Sequence, residues 1–415
     1  MTAMKSSIHK KDKWEIPKDW EVKELKDLGT FKKGKGILKD QVINSGLPCI
    51  RYGEIYTSYN YSVKRFNSFI SISTSKESQE IKHGDILFAG SGETIDEIGK
   101  AVAYVGDEIA FAGGDIIILR SNSNANSIYL SFLLESDFLK RQKRYLGQGH
   151  SVVHIYPSDL AKLKIPLPPL PEQNSIAACL STWDRAIQTT DALIAQKEQC
   201  KKWLMQMLLT GKMRLKGFSG EWKVVRLIEV AEVDKYSLSS NTSPEYSFQY
   251  LSLSDVDSGV ADIKSEIIMY KDSPSRARRI VQKGDILLAT VRPNLQAFLI
   301  IRDDVKDFIA STGFAVITCT TIFNEFLYQY LYSSDFMRQI EALLTGSNYP
   351  AINSSDVKHL KIPFPLLEEQ TAIAQVLQTA DKEITLLRAK ADKLREQKKG
   401  MMQVFLTGRV RMKGN

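Results

Sequence analysis

The sequence predicts an α+β protein of two tandem globular domains, each followed by a long helix. The two helices are expected to pair as an antiparallel coiled coil about a pseudo-twofold axis. The main observation is that the chain repeats itself: LKIPLPPLPEQ (residues 163–173) matches LKIPFPLLEEQ (residues 360–370) at a displacement of 197 residues. The match continues without a gap to LLTGKMRLKG (residues 208–217) and FLTGRVRMKG (residues 405–414). A second observation is that each of these matching segments is preceded by several short stretches rich in β-branched residues, which are typical of strands.

Weaker matches extend the repeat toward the N-terminus of each copy. HGDILFA (residues 83–89) matches KGDILLA (residues 283–289), and DWEVKEL (residues 19–25) matches EWKVVRL (residues 221–227), at displacements of 200 and 202 residues. Between these anchors the copies differ, so each copy is a variable globular part followed by a constant tail. The predicted domains are residues 1–165, a central region with a long helix at 166–212, a second globular domain at 213–362 and a C-terminal helical region at 363–415.

Each globular part is predicted to be a twisted sheet closed by a helix. Short apolar segments bounded by Gly or Asp are typical of strands, and they occupy residues 85–90, 100–106, 110–120, 285–291, 297–302 and 314–319. One helical stretch follows in each part, at residues 128–142 and 325–344. These patterns make both domains α+β.

The two tails are predicted to be long helices. Each begins at a Glu-Gln pair after prolines, where acidic residues favour the helix dipole, and ends at Thr-Gly, where glycine can adopt the left-handed cap. About 37 residues at 1.5 Å each give a helix of roughly 55 Å. Apolar residues recur at steps of four and three, so the helix needs a partner, and its own copy is the nearest candidate. Packing onto the adjoining globular part and pairing with a second chain remain alternatives.

Composition favours a soluble protein with a polyanionic partner. Hydrophobic residues make up 43% and charged residues 25% of 415 residues. The formal charge of +8 favours phosphates, because Lys and Arg that neutralise them release counterions. Apolar runs fall short of the roughly 20 residues that cross a bilayer, so we expect a cytoplasmic protein with no membrane contact. Four scattered cysteines without a CxxC pair indicate reduced thiols rather than disulfides or zinc.

Two variable α+β domains, each trailed by LKIPxPxLxEQ and a helix ending in LTG, resemble the specificity subunits of type I restriction-modification systems. The resemblance covers essentially the whole chain. It implies that each globular part is a target recognition domain that reads one half of a bipartite site in double-stranded DNA. It also implies that the helices set the spacing and dock two methyltransferase subunits, which restriction (translocase and nuclease) subunits can join in defence against foreign DNA.

The resemblance further implies a non-catalytic subunit without a cofactor, with S-adenosylmethionine and ATP bound only by the partner subunits.

Two major-groove readers on one face of a duplex lie about 34–36 Å apart or near a multiple of that distance. Removing four residues from both helices would shorten them by about 6 Å. We expect that change to alter the gap between half-sites by one or two base pairs.

Motifs of enzymes are missing from the sequence. The string nearest to the methyltransferase pattern [DNS]-P-P-[YFW] is at residues 348–351, with one proline and no terminal aromatic. Gly99-Lys100 lacks the P-loop spacing, and His150 and His154 lack a third metal ligand, so no metal site is predicted. The triplet Asp262-Ile263-Lys264 is expected to be solvated surface. A nuclease or methyltransferase with an unrecognised active site and a purely structural coiled-coil adaptor remain the rival hypotheses; the adaptor does not explain variable domains on constant tails.

Candidate DNA contacts are donors and acceptors in the loops that differ between the copies. In the first domain, Lys32, Lys33 and Lys35 are assigned to phosphates, and Arg51, Tyr52, Ser91, Glu93, Thr94, Gln148 and His150 to bases. In the second domain the candidates are Arg276, Arg278, Arg279, Arg292, Asn294, Gln296, Ser347, Asn348 and Tyr349. For each residue, solvated surface is the alternative.

Candidate positions for partner docking are the exposed helix faces and the proline-rich segments that precede the helices. The residues are Pro166, Pro168, Gln173, Pro363, Pro365 and Gln370. The alternative for these positions is simple packing of a strand against a helix.

Overall fold

The computed structural model describes residues 16–122, 125–149, 152–257, 260–261, 267–344 and 350–413. The chain forms two compact units, one of Met1–Thr190 with Lys390–Asn415 and one of Asp191–Ala389. Each unit therefore combines a globular domain with the first part of one long helix and the last part of the other. The domain boundaries given by the sequence repeat stay predictions.

The first unit contains 13 strands and five short helices in its described globular part. In chain order they are β1 (Glu21–Glu24), β2 (Gly29–Lys33), β3 (Leu47–Ile50), α1 (Tyr52–Thr57), β4 (Ser62–Val63), β5 (Ser68–Ile70), α2 (Ile72–Glu77), β6 (Gln79–Ile81), β7 (Ile86–Ala89), β8 (Ser91–Gly92), β9 (Ala101–Tyr104), β10 (Ala110–Ala112), β11 (Ile116–Ser121), α3 (Ser127–Leu134), α4 (Asp137–Leu146), β12 (Val153–His154), α5 (Pro157–Leu160) and β13 (Lys164–Leu167). The sheets have the orders β2-β11-β7-β9-β4, β5-β3-β10-β6, β1-β13 and β12-β8. The pairs β4–β9 and β3–β10 are parallel and the others are antiparallel.

The second unit repeats this plan. Its elements are β14 (Lys223–Arg226), β15 (Ala231–Val233), β16 (Ser247–Leu251), β17 (Val256–Asp257), β18 (Val260–Ala261), β19 (Ile267–Met269), β20 (Ala277–Ile280), β21 (Ile286–Ala289), β22 (Phe298–Ile300), β23 (Phe308–Ser311), β24 (Phe314–Cys319), α7 (Asn324–Leu331), α8 (Ser334–Leu343), α9 (Ser354–Lys358) and β25 (Lys361–Phe364). The sheets have the orders β15-β24-β21-β22, β19-β16-β23-β20, β14-β25 and β17-β18. The long helices, here numbered α6 (Leu170–Leu208) and α10 (Leu367–Phe405), pass from one unit into the other.

The main sheet of each domain is buried on both faces. Successive side chains of a strand point to opposite faces. Ile86 and Phe88 of β7 accordingly pack with α3, whereas Leu87 packs with the second sheet through strands β3, β6 and β10. The strand β21 divides its side chains between two cores in the same way. Burial on both faces explains why ILFA and ILLA are continuous apolar runs rather than alternating ones.

The duplication seen in the sequence is confirmed by matching hydrogen bonds. The side-chain amide of Gln142 pairs with the backbone of Lys164, with N···O distances of 3.0 and 3.1 Å. Gln339 pairs with Lys361 in the same way, at 3.0 and 2.8 Å. Both partners are displaced by 197 residues. The two domains therefore share one scaffold, and the predicted α+β architecture is confirmed.

Two kinds of element differ from the prediction. Residues 110–120, predicted as one strand, form β10 and β11 in different sheets, because the chain turns at two glycines and the left-handed Asp115 (φ 60°). Each predicted closing helix is two helices, broken before α4 and α8. Ser136 and Ser333 cause the breaks by adopting the extended conformation of an N-cap residue, with ψ near 150° in both.

Both long helices begin two residues before the predicted Glu-Gln start and contain 39 residues each. The first has Pro171 as its second residue, and a proline in the first turn removes only an amide that would have no helical partner. Gly211 (φ 70°) and Gly408 (φ 71°) follow the helices in the left-handed conformation, as predicted. In the described residues, no helix is sufficiently long and apolar to cross a bilayer.

The long helices run antiparallel within each unit, and ion pairs fix their register. In the second unit, Lys197 pairs with Glu383 (2.8 Å) and Lys201 with Asp381 (2.6 Å), so that numbers rise on one helix as they fall on the other. In the first unit, Lys398 pairs with Asp184, the two positions related to Lys201 and Asp381 by 197 residues. Lys398 is buried, and its ammonium lies 3.7 Å from the ring centroid of Tyr61. The predicted antiparallel pairing is confirmed.

A buried glutamate ties together three distant parts of the first unit. Glu172 lies in the first turn of α6 and is 4% exposed. Arg411 donates to both of its carboxylate oxygens (2.8 and 2.7 Å) and also to Asp19, and the Trp20 indole donates to Glu172 at 3.1 Å. We call these four residues the Glu172 clasp. The second unit has the matching contacts of Glu369 with Arg214 (2.6 and 2.7 Å) and Trp222 (3.0 Å).

The clasp carboxylate is held in its charged form. Burial alone would raise the pKa of Glu172, but the hydrogen bonds from Arg411, Trp20 and the Met412 amide outweigh that effect, so the pKa lies below its ordinary value. A carboxyl group with a lowered folded-state pKa stabilises the fold above its unfolded-state pKa. That stabilisation is lost as the pH falls through the folded-state value.

We therefore expect Glu172→Gln to destabilise the first unit by about 1–3 kcal/mol at pH 7, because charged hydrogen bonds are lost around a buried group. The difference from the parent protein should shrink as the pH falls below the ordinary value of 4.5. Urea unfolding at several pH values measures it. The control is Glu21→Gln, an exposed glutamate of the same unit, which should stay within about 0.5 kcal/mol. Equal stability of both variants at pH 7 would contradict the role of the clasp.

Candidate nucleic-acid interface

The first domain presents an exposed loop directly after its central strand. Residues 93–97 are exposed, whereas Ser91 before them and Ile98 after them are buried. The Ser91 hydroxyl hydrogen-bonds the Nδ1 atom of His154 at 3.0 Å, and its carbonyl accepts from the Tyr56 hydroxyl at 3.0 Å. Glu93 and Thr94 therefore lie on the exposed tip, whereas Ser91 anchors one end of the loop.

Strand pairing brings a second predicted segment beside this loop. His154 in β12 pairs with Ser91 in β8, and its backbone also exchanges two hydrogen bonds with Gln148 at 2.9 and 2.8 Å. The Gln148 side chain is exposed next to Gly149, whose φ of 122° and close approach to Val152 admit only glycine. The structure thus brings together Ser91, Glu93, Thr94 and Gln148. His150 lies outside the described residues.

The other candidates of the first domain lie on two further elements. Arg51 and Tyr52 are at the start of α1, which reaches the loop through Tyr56. Tyr52 is exposed, whereas Arg51 is half-buried beside Glu54. Lys32 and Lys33 lie on β2, and Lys35 follows it. All three lysines are exposed, on or just after the edge strand of the main sheet, where a phosphate backbone could approach them.

The second domain repeats the arrangement of loop and segment with other side chains. The loop after β21 carries Arg292 and Asn294, both exposed, and the half-buried Gln296. Its backbone bonds the segment after α8: the Arg292 amide donates to the Pro350 carbonyl at 2.7 Å. Ser347, Asn348 and Tyr349, which precede that proline, lie outside the described residues, as does the triplet at residues 262–264.

The loop of the second domain is strained. Arg292 (φ 49°) and Gln296 (φ 55°) both adopt the left-handed conformation that non-glycine residues rarely use. Each such residue costs about 1–3 kcal/mol, and strained residues cluster at binding and catalytic sites. The strain is an observation that favours a functional role for this loop.

The predicted arginine cluster of the second domain is divided. Arg276 is exposed. Arg278 stacks on the Tyr270 ring at 4.9 Å, and Arg279 forms an ion pair with the mostly buried Asp234 at 2.8 Å. Arg279 is thus part of the domain's own packing, and Arg276 is the most accessible of the three.

Most positions predicted for partner docking are packed inside their own unit. The six positions are buried except for the half-buried Pro363. Gln173 is 1% exposed, donates to the Pro168 carbonyl at 2.8 Å and accepts from the Asn126 amide at 2.9 Å. Gln370 makes the same two bonds in the second unit, to the Pro365 carbonyl and from the Phe323 amide. These contacts fit packing of strand against helix, and a docking role for the six residues stays a prediction.

Two functional candidates were missed at the sequence level. Tyr56 joins α1 to the loop, and His154, considered from the sequence only as a metal ligand, is the residue on which Ser91 and Gln148 converge. A histidine and a tyrosine on separate elements give no spacing signal, so only the fold could reveal them. Among the described residues, no group of three or more His, Cys, Asp or Glu side chains is arranged to hold a metal.

The chain resembles known proteins over most of its length. The sequence matches the family model described as the type I restriction modification DNA specificity domain twice, over residues 17–199 and 219–396. The chain therefore belongs to the family of type I restriction-modification specificity subunits, which confirms the resemblance deduced from the repeat. It is a DNA specificity subunit.

Individual relatives of the chain are also specificity subunits of type I restriction enzymes. The chain is 30% identical over 420 residues to the MjaVIII specificity subunit of Methanocaldococcus jannaschii, covering 96% of this chain and 94% of the relative. It is 27% identical over 205 residues to the EcoKI specificity subunit of Escherichia coli, covering 47% of this chain and 43% of the relative.

Solved structures share the fold. The S subunit of a type I system from M. genitalium superimposes with a TM-score of 0.59 at 16% identity, covering 94% of this chain and 96% of that one. A chain from a study of complex assembly and conformational transition in a type I system superimposes with a TM-score of 0.57 at 20% identity, covering 96% and 100%.

The lysines of β2 give a quantitative prediction. In the complex with its partner subunits, replacing Lys32, Lys33 and Lys35 by Ala should weaken binding to all duplexes alike. The salt dependence of the logarithm of affinity should become less steep by about 0.9 per lost phosphate contact. Fluorescence anisotropy across a salt series measures both effects. The matched control replaces Lys64, Lys76 and Lys82, three exposed lysines of the same domain; a similar loss of slope there would refute the assignment to β2.

Proposed function

We propose that this chain is the non-catalytic subunit that reads both halves of a bipartite site in double-stranded DNA. The observation that carries the proposal is the duplicated platform: the loop after the central strand lies beside the segment after α4 in the first domain and after α8 in the second. Two copies of one platform suit two half-sites on one duplex. Base contacts specify sequence, and phosphate contacts position the protein.

Different side chains on the two platforms support different half-sites. The first domain offers the acceptor Glu93 with Thr94 and Gln148, and the second offers Arg292 and Asn294. Glutamate accepts from the amino group of cytosine, arginine binds guanine, and asparagine or glutamine binds adenine. The two halves of the proposed DNA site therefore differ in sequence, and each responds to changes in one domain.

The chemistry is assigned to partners. S-adenosylmethionine would be bound by two methyltransferase subunits and ATP by restriction subunits, and this chain would bind neither. Its sequence lacks the methyltransferase motif and the P-loop spacing. Exposed apolar side chains at equivalent positions of the two units support a pair of identical partners: Val22 and Leu170 in the first unit, and Val224 and Leu367 in the second. The valines lie on β1 and β14, which pair with the proline-containing strands β13 and β25, and the leucines are the first residues of the long helices.

Methylation mapping tests the proposal. The chain is co-expressed with the methyltransferase subunit of the same system, and methylated bases are mapped on genomic DNA by single-molecule sequencing. We expect methylation at one bipartite motif, its loss when this chain is omitted, and a change confined to one half when residues 16–165 are exchanged for those of another family member. Co-expression with the unexchanged chain is the control. Methylation that persists without this chain would sink the proposal and favour the adaptor hypothesis.

A further inference from the structure

One lysine of the first domain points inward from the amphipathic helix α4. Lys143 in α4 is 2% exposed. Its ammonium donates to the Gly99 carbonyl at 2.8 Å and to Glu135 Oε1 at 2.9 Å, and the same carboxylate oxygen accepts from the Ala101 amide at 2.9 Å. We call this arrangement the Glu135–Lys143 clamp. It grips the chain on both sides of Lys100, at the C-terminal end of the exposed loop.

The fold itself does not require this ion pair. At the positions displaced by 197 residues, the second domain has Tyr332 and Ile340. Ile340 is fully buried, and the Tyr332 hydroxyl donates to the Phe298 carbonyl of β22 at 3.1 Å. Burial lowers the pKa of Lys143, although Glu135 opposes that effect. Because apolar residues often replace a buried ion pair without loss of stability, stability alone does not account for the clamp.

The clamp packs closely against the end of the exposed loop. Gly99 has a φ of 67°, and a side chain there would lie 3.2 Å from the Lys143 Cδ atom, so backbone and lysine fit closely. A second contact from the same helix, Arg144 with Asp96 at 2.8 Å, holds the loop tip. In the second domain, the conformation of the corresponding loop depends on two of its own residues, Arg292 and Gln296, which adopt the left-handed conformation.

We propose that Glu135 and Lys143 are positioning residues for base recognition by the first domain, acting through the loop of residues 92–99 without touching DNA. The inference rests on the proposed function. A loop fixed before binding loses less conformational freedom on contact with DNA and presents its donors and acceptors in one geometry. Releasing its C-terminal end lets Glu93 and Thr94 accept poorly matched bases, so that discrimination falls at the first half-site alone.

The test introduces into the first domain the residues that the second domain has at the two clamp positions. The variant Glu135→Tyr with Lys143→Ile and the near-isosteric neutral variant Glu135→Gln with Lys143→Met are each co-expressed with the methyltransferase subunit. Methylation at genomic sites with one mismatch in the first half-site should rise about tenfold, the discrimination carried by one good base contact. Discrimination at the second half-site should be unchanged. Hydrogen exchange should increase in peptides that cover residues 92–101.

The matched control is Arg141→Met, which removes an exposed cation of the same helix that bonds only weakly to the Asp137 carbonyl, at 3.4 Å. It should leave both half-sites unchanged. Parent-like methylation by either assembled variant overturns the inference, as does equal relaxation at both half-sites. If neither variant assembles, the pair is required for folding and the inference is equally overturned. If the parent chain directs no bipartite methylation, the proposed function fails instead.

Discussion

The bond between the start of each long helix and the chain beyond the end of the other is the constraint on which the architecture depends. Glu172 begins α6 and binds Arg411 beyond α10, whereas Glu369 begins α10 and binds Arg214 beyond α6. A carboxylate in a first turn is favoured by the helix dipole, and a bidentate arginine fixes its direction. Each long helix therefore begins at one such bond and ends shortly before the arginine of the other, and both helices contain 39 residues.

That constraint separates what can vary from what cannot. Both residues of each buried Glu-Gln pair are hydrogen-bonded. The carboxylates accept from arginine and from the tryptophan indole, and the glutamine amides bond backbone groups. A buried polar group with an absent partner costs about 1–3 kcal/mol, so neither the pair nor its partners can change independently. The tails consequently keep their sequence in both copies. The tips of the loops beyond the central strands are exposed, and there the two copies have diverged.

The repeat made most of the fold predictable, since one internal alignment located both domains, both long helices and their glycine caps. The sequence does not predict the breaks before α4 and α8, although serine with an aspartate in the following turn is a capping signal, because apolar periodicity continues through Ser136 and Ser333. Gln173 and Gln370 are predicted from the sequence as docking residues, because a repeated residue can be retained either for contact with a partner or for packing inside its own unit. Lys143 had a usable signal: it lies one helical turn after the buried Leu139, and the other copy has Ile340 at the aligned position.

The residues that support the two loops proposed to read DNA lie inside the same domain as each loop. The first loop is held by Glu135, Lys143 and Ser91, and the second by its own strained backbone and by Pro350. None of these residues belongs to a long helix or to the clasp contacts. A domain can therefore exchange its loop together with the loop's support while the helices keep their register. The first domain supports its loop with an ion pair outside the loop, and the second supports its loop with strained backbone inside it. Independent change of the two half-sites would produce this difference on one shared scaffold.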